Sequence, residues 1–160
     1  MSITKTYNLG QMSAELGCKV SDSLQGKLND QAASMEQLTL KMEDISQLMT
    51  ALNQGKLAFD AKKGLDLKSH EELLNRLREH SPAIRDALPS WKTEIKSLDE
   101  LNLLHEVLKQ LYSELNTKVQ TKMIKVNQLM QDLGELIKIL AELIRSWSHE
   151  MKTMINNQQK

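Results

Sequence analysis

The chain has 160 residues, and its 21 basic side chains equal its 21 acidic ones in number. Zero net charge argues against the phosphate attraction on which nucleic-acid-binding proteins depend. The single cysteine, Cys18, cannot form an intramolecular disulfide. No run approaches the 18 apolar residues of a membrane-spanning helix, and Met1–Ser13 lacks the apolar core of a cleaved signal peptide. We therefore expect no nucleic-acid partner and no transmembrane segment.

The composition predicts long helices. Aromatic residues make up 3% of the chain and hydrophobic residues 40%, with abundant Leu, Met, Gln and Lys and two prolines. Such residues favour helices packed through aliphatic side chains over sheets. Strand-like alternation is almost absent, so the fold class predicted is all-α.

Residues 1–20 are polar and contain Gly10 and Gly17, with no sustained helical period. They predict a flexible N-terminal arm in front of one helical domain, residues 21–160.

The first long helix is predicted over residues 21–54, where apolar residues recur in two columns with a seven-residue repeat. The columns are Leu28, Met35, Met42 and Met49, and Leu24, Leu38, Ile45 and Leu52. Gln31 interrupts the pattern, and Gly55 is expected to end the helix.

Residues 55–96 predict a small insert of short helices, divided by Gly64, Pro82 and Pro89. Ser69–Glu72 has the spacing of a capping box and predicts a helix to about His80, while Ser81 before Pro82 predicts a second helix start. The apolar side chains expected to pack the insert are Leu73, Leu74, Leu77, Ile84, Leu88 and Trp91.

A second capping box, Ser97–Glu100, precedes the longest periodic segment, predicted as a helix over residues 97–155. Its register slips between Leu111 and Met123 beside a polar patch, which predicts a bend or a change of partner. The fold is thus an elongated antiparallel helical hairpin or coiled coil with a small helical insert.

The apolar stripe of the C-terminal helix is the predicted assembly or partner-binding surface. A first helix of about thirty residues would cover only half of the C-terminal helix, at about 1.5 Å per residue. The uncovered part then needs a second copy or another protein, unless the insert folds back over it to complete a monomeric bundle. The predicted surface comprises Val119, Met123, Val126, Met130, Leu133, Ile137, Leu140, Ile144, Trp147 and Met151.

No catalytic, cofactor-binding or metal-binding residues are predicted. His70, His80, His105 and His149 are scattered without a recognised ligand spacing, and we expect surface positions for them. There is no glycine-rich phosphate loop and no nucleophile elbow. The chain is therefore expected to be no enzyme.

Two stretches resemble known families. Leu115–Lys122, followed by the apolar run from Met123 to Ile144, is similar to the C-terminal helix of type III secretion needle-tip proteins of the LcrV and PcrV kind, with their Leu-Asn-x-x-Val-x-x-Lys stretch. Tyr7–Ser13 resembles the Tyr-Asp-Leu-Gly-Ser-Met-Ser stretch near the N-terminus of the EspA filament family.

The resemblance implies a secreted structural subunit of the bacterial type III secretion apparatus, in either a tip or a filament role. It implies export without cleavage through Met1–Ser13, localisation outside the cell or at its surface, and partners among copies of itself or other apparatus subunits, with a dedicated chaperone as a further partner. A cytoplasmic helical chaperone or adaptor, holding another protein's amphipathic helix, remains the alternative.

Overall fold

The first helix, α1, spans Ile3–Leu57 and has 55 residues. The computed structural model describes the backbone of residues 3–57, 64–89, 92 and 94–158, and within these ranges the side chains of residues 11–56, 64–89, 92 and 94–157. The predicted start of the first helix at residue 21 was wrong, because α1 begins at Ile3 and includes nearly all of the segment predicted as a flexible arm. Ser13, Gly17 and Ser21 precede Leu24 at steps of four, four and three residues, so all four lie on the same side of α1. All four are at least half-buried. Because these side chains are small, they do not appear in a pattern of large apolar residues.

Gly55 was predicted to end the first helix, but α1 continues past it to Leu57. A Cβ atom on Gly55 would lie 2.6 Å from Cδ2 of Leu65. Gly55 therefore allows the segment after α1 to pack closely against the helix, and the helix continues for two more residues.

The insert contains two short helices and a pair of two-residue strands. Strand β1 (Leu65–Asp66) pairs antiparallel with β2 (Glu94–Ile95), and Leu65 lies opposite Ile95. Between them lie a 3₁₀ turn (Lys68–His70), helix α2 (Glu71–His80) and helix α3 (Pro82–Ala87). The strand pair was not predicted, since two residues are too few to show an alternating pattern.

The predicted helix caps had different outcomes. Ser81 caps α3, as predicted: its hydroxyl accepts a hydrogen bond from the Ile84 amide at 3.4 Å. The Ser69 capping box was wrong, because Ser69 lies in the 3₁₀ turn and its hydroxyl bonds to His70 Nδ1 at 2.8 Å. His70 stands in the cap position of α2, but its side chain makes no capping hydrogen bond to the helix.

The second long helix, α4, spans Leu98–Gln158 without interruption and has 61 residues. Its predicted capping serine is confirmed, since Ser97 accepts a hydrogen bond from the Glu100 amide at 3.1 Å. The Glu100 carboxylate accepts one from the Lys96 amide at 3.2 Å and pairs with Lys92 Nζ at 2.9 Å. These contacts, with Lys92 first, lower the pKa of Glu100 from its ordinary value.

The chain divides into two compact units, and both long helices contribute to each. Unit 1 comprises residues 1–33 and 122–160, and unit 2 comprises residues 34–121. The division crosses α4 after Thr121, within the stretch where the register slips. α4 continues through this stretch as one helix, and α1 contributes to the units on both sides of it.

Unit 2 contains the buried hydrophobic side chains found in the described part of the chain. They come from α1, the insert and the first five turns of α4: Ile45, Leu48, Leu52, Leu67, Leu73, Leu74, Leu77, Ile84, Leu88, Ile95, Leu101, Leu104, Leu108 and Leu115. The insert leucines and Ile84 pack as predicted, whereas Trp91 lies outside the described residues.

At the edge of this core Asp44 of α1 holds Arg76 of α2 through two hydrogen bonds, of 2.9 and 3.1 Å, which raise the pKa of the guanidinium.

Arg78 of α2 is buried beside the core, with 6% of its surface exposed. Its guanidinium donates to the carbonyl oxygens of Leu88, Pro89 and Lys92 at 2.8, 3.0 and 3.3 Å, and to Asn75 Oδ1 at 2.9 Å. Burial lowers the pKa of this group from its ordinary value. Arg78 therefore ties the segment that follows α3 to α2. The architecture as a whole is an all-α helical hairpin with small elements between its two long helices, as the sequence predicts.

Candidate assembly surface

The described side chains of unit 1 form no hydrophobic core of the kind found in unit 2. Its two helical segments, described over residues 11–33 of α1 and 122–157 of α4, pack against each other along one seam. Among the described side chains of unit 1, no hydrophobic residue is buried, and Gly17 is the buried position. A two-helix seam covers one stripe of each helix and leaves the flanks of both in contact with solvent.

The seam contains a close approach at Gly17. A Cβ atom on Gly17 would overlap the terminal carbons of Leu140, so the Leu140 side chain packs directly on the α1 backbone. Further along, Lys122 Nζ donates to Gln31 Oε1 at 3.3 Å. Gln31, the residue that interrupts the apolar repeat, thus has a polar partner across the seam.

The structure separates the ten residues of the predicted surface into two groups. Six are half-buried: Val119, Val126, Leu133, Leu140, Trp147 and Met151. Val119 belongs to unit 2, and the other five belong to the α4 segment of unit 1. The remaining four are 50 to 59% exposed: Met123, Met130, Ile137 and Ile144.

We call these four exposed residues the α4 apolar column. They recur every seven residues, so they form one line along the helix beside the seam. Four large apolar side chains at this exposure recur along one line, whereas single exposed apolar residues are ordinary. The column is therefore the best candidate for an interaction surface in unit 1.

A second apolar patch lies on the other flank of the seam. Leu16 and Val20 stand on either side of Gly17 in α1, and Ile139 and Leu143 stand on either side of Leu140 in α4. They are exposed by 65, 41, 55 and 46% respectively. Since Gly17 contacts Leu140, the four residues surround the same crossing point. We call them the crossing patch.

The two long helices do not differ in length as the sequence predicts. We expected α4 to lack cover because α1 would be half its length, but α1 has 55 residues and α4 has 61. The α4 apolar column is exposed because the apolar surface is wider than one seam covers. The spread of Leu136, Ile137, Ile139, Leu140, Leu143 and Ile144 around the helix contains this signal.

Charged columns next to the apolar residues were missed from the sequence. Lys138, Arg145 and Lys152 recur every seven residues, and two of them directly follow Ile137 and Ile144. On α1, Glu15 and Asp22 have the same spacing. All five side chains are exposed. The seven-residue spacing of these charges in the sequence is the signal that indicates both columns.

The described residues give no sign of a metal site, since no group of three His, Cys, Asp or Glu side chains among them could hold an ion. His80 and His149 are exposed as expected, whereas His70 and His105 are half-buried. Of the helices in the described ranges, none is long and apolar enough to cross a membrane. No family model, curated protein or solved structure matches the chain.

Two glycines provide a matched test of the seam. At Gly26 an added Cβ atom would meet nothing within 4 Å. Gly26→Ala should therefore raise the free energy of unfolding by about 1 kcal/mol, the difference in helix propensity. Gly17→Ala gains the same propensity but forces Leu140 to move, and overpacking costs about 1–3 kcal/mol. We expect a net loss of about 1 kcal/mol, measured by urea unfolding followed by circular dichroism. Equal stabilisation by both substitutions would contradict the close approach of Leu140.

Proposed function

We propose that this protein is a non-enzymatic structural subunit that assembles through the α4 apolar column. The observation that carries the proposal is the line of four half-exposed large side chains in a unit whose described side chains include no buried hydrophobic residue. Burying the rest of each side chain would contribute about 1 kcal/mol, or about 4 kcal/mol for the column. This is a large share of the binding energy of a modest protein interface.

We further propose that the subunit is exported by a bacterial type III secretion apparatus and acts in a needle tip or a filament. The resemblance of Leu115–Lys122 and Tyr7–Ser13 to tip and filament proteins supports this role. A helical hairpin also agrees with it, because it presents long parallel strips to neighbouring subunits. Met1–Ser13 would carry the export signal; the side chains of residues 1–10 lie outside the described residues.

A cytoplasmic chaperone or adaptor is the second candidate function. Met123 and Met130 favour it, because methionine side chains adapt to partners of different shape. In that role the α4 apolar column would bind the amphipathic helix of a different protein. The two functions use the same surface but place the protein in different compartments.

Export is tested by comparing culture supernatants from bacteria with and without a working secretion apparatus. We expect the intact chain, with its N-terminal Met1–Ser13 segment, in the supernatant only when the apparatus works. Ile137→Asp serves as the matched variant, since it should be exported normally while losing assembly. Retention of the wild-type chain in the cytoplasm of both strains would refute export and favour the chaperone role.

A further inference from the structure

The partner of the α4 apolar column is indicated by the charges beside it. The basic column, Lys138, Arg145 and Lys152, borders the apolar column on the side away from the seam. Glu15 and Asp22 form the acidic column of α1. None of these five residues takes part in an ion pair found among the described side chains. Glu15 accepts a hydrogen bond from Gln11, its neighbour one turn earlier, at 3.2 Å.

Both columns lie on the same broad face of the hairpin in unit 1. In two antiparallel helices that pack together, the residue directly after a seam residue points to the same face in both helices. Ile137 follows Leu136 on α4, and Cys18 follows Gly17 on α1. This face therefore runs from the acidic column of α1, across the seam, to the apolar and basic columns of α4.

The α1 half of this face differs from the α4 half in its side chains. Ala14, Cys18 and Ala32 are exposed there, and the exposed Gln11 and Gln25 share the seven-residue column of Cys18 and Ala32. Cys18 is the free thiol found among the described residues. The α4 half carries the large apolar side chains of the α4 apolar column.

We propose that a second copy of this chain covers the face, with the two-fold axis parallel to the helices. This inference rests on the proposed assembly and adds its partner and geometry. The arrangement places α4 of each copy over α1 of the other, so that the basic column meets the acidic column. The alternative two-fold axis, perpendicular to the helices, would place α4 over α4 and the two basic columns together.

The geometry fixes which residues meet, because rotation about an axis parallel to the helices leaves every residue at its own height. Gly17 and Leu140 are at the same height. Since the helices are antiparallel, Glu15 lies at the height of Glu142 and Asp22 at that of Glu135. Arg145 of the second copy is then about 4.5 Å along the axis from Glu15, and Lys138 of the second copy is about 4.5 Å from Asp22. Both offsets are within the reach of these long basic side chains.

Disulfide trapping tests the arrangement directly. Cys18 lies near the height of Ala141, which is exposed on the same face. We expect Ala141→Cys to give a covalent dimer on mild oxidation, detected by non-reducing electrophoresis. In the matched control, Cys18→Ser combined with Ala141→Cys, the dimer should disappear. A dimer that persists in the control joins α4 to α4, and this result, like the absence of any dimer, would overturn the arrangement.

Charge reversal gives an independent test by sedimentation velocity at low salt. Lys138→Glu with Arg145→Glu, and separately Glu15→Lys with Asp22→Lys, should each weaken self-association at least tenfold. Mixing the two double variants should restore association, because both interfaces of the mixed dimer regain opposite charges. Lys125→Glu, an exposed charge off this face, is the control and should leave association unchanged. Failure of the mixture to associate would refute the charge pairing.

Two aspartate substitutions distinguish a failure of this arrangement from a failure of the proposed assembly role. Ile137→Asp should abolish association, while Leu143→Asp in the crossing patch should not. If only Leu143→Asp abolishes it, the chain assembles through the other face and the arrangement proposed here is wrong, while the assembly role stands. If the wild-type chain stays monomeric at high concentration, both fail, and export is then decided separately by the supernatant assay.

Discussion

Replacing Arg78 by alanine is expected to lower the free energy of unfolding of unit 2 by about 3 kcal/mol or more. The guanidinium is the hydrogen-bond donor to three backbone carbonyls, those of Leu88, Pro89 and Lys92. Removing it takes the donor from the buried Leu88 carbonyl and the partly buried Lys92 carbonyl, while the Pro89 carbonyl keeps a hydrogen bond from the Lys92 amide at 2.9 Å. A buried acceptor left unpaired costs about 1–3 kcal/mol. The substitution also leaves a cavity beside Leu88, which is 1% exposed.

The measurement is urea unfolding together with amide hydrogen exchange, which shows where protection is lost. We expect faster exchange in α2 and α3, with little change in residues 122–157. Arg78→Lys should show an intermediate loss, because an ammonium group keeps the charge but lacks the planar fork that spans several carbonyls. Arg85→Ala provides the control, since Arg85 is exposed on α3 and should change stability by less than about 0.5 kcal/mol. Equal effects of the changes at Arg78 and Arg85 would contradict the role assigned to the buried guanidinium.

Helix type and order could be predicted from the sequence, because the apolar repeats and the Ser81 and Ser97 caps are local features. The beginning of α1 could not. Gly17 and its small neighbours have no apolar signal of their own, and their role appears only when Leu140 packs on them. The role of Gly55 could not be predicted either, because it also depends on a residue that packs against it. The absence of a side chain at Gly55 makes room for Leu65, and the helix does not end there.

The candidate surface could be predicted only as a set of residues. The spacing of three and four residues places Leu140 and Ile137 on one stripe of α4, but it does not give the direction of the partner helix. In the structure Leu140 is half-buried on Gly17 while Ile137 is 57% exposed. A neighbouring helix determines which side of an apolar stripe is left open, and that neighbour is distant in the sequence.

Because Leu140 is half-buried and Ile137 is largely exposed, the same substitution should affect the stability of unit 1 very differently at the two positions. Leu140→Asp should lower the free energy of unfolding of unit 1 by about 2–3 kcal/mol, because it removes apolar packing on Gly17 and places a carboxylate in a poorly hydrated seam. Ile137→Asp should cost less than about 1 kcal/mol, since its side chain is already largely in contact with water.

Both variants should be compared at a concentration where each is monomeric, so that the stability of the fold is measured separately from assembly. Hydrogen exchange should report faster opening of residues 13–24 of α1 for Leu140→Asp and near wild-type protection for Ile137→Asp. Sedimentation at high concentration should show that Ile137→Asp stays monomeric although it is folded. This result would identify a direct defect in assembly. If Ile137→Asp unfolds unit 1 as strongly as Leu140→Asp, then Ile137 is part of the intramolecular seam, and the α4 apolar column is no assembly surface.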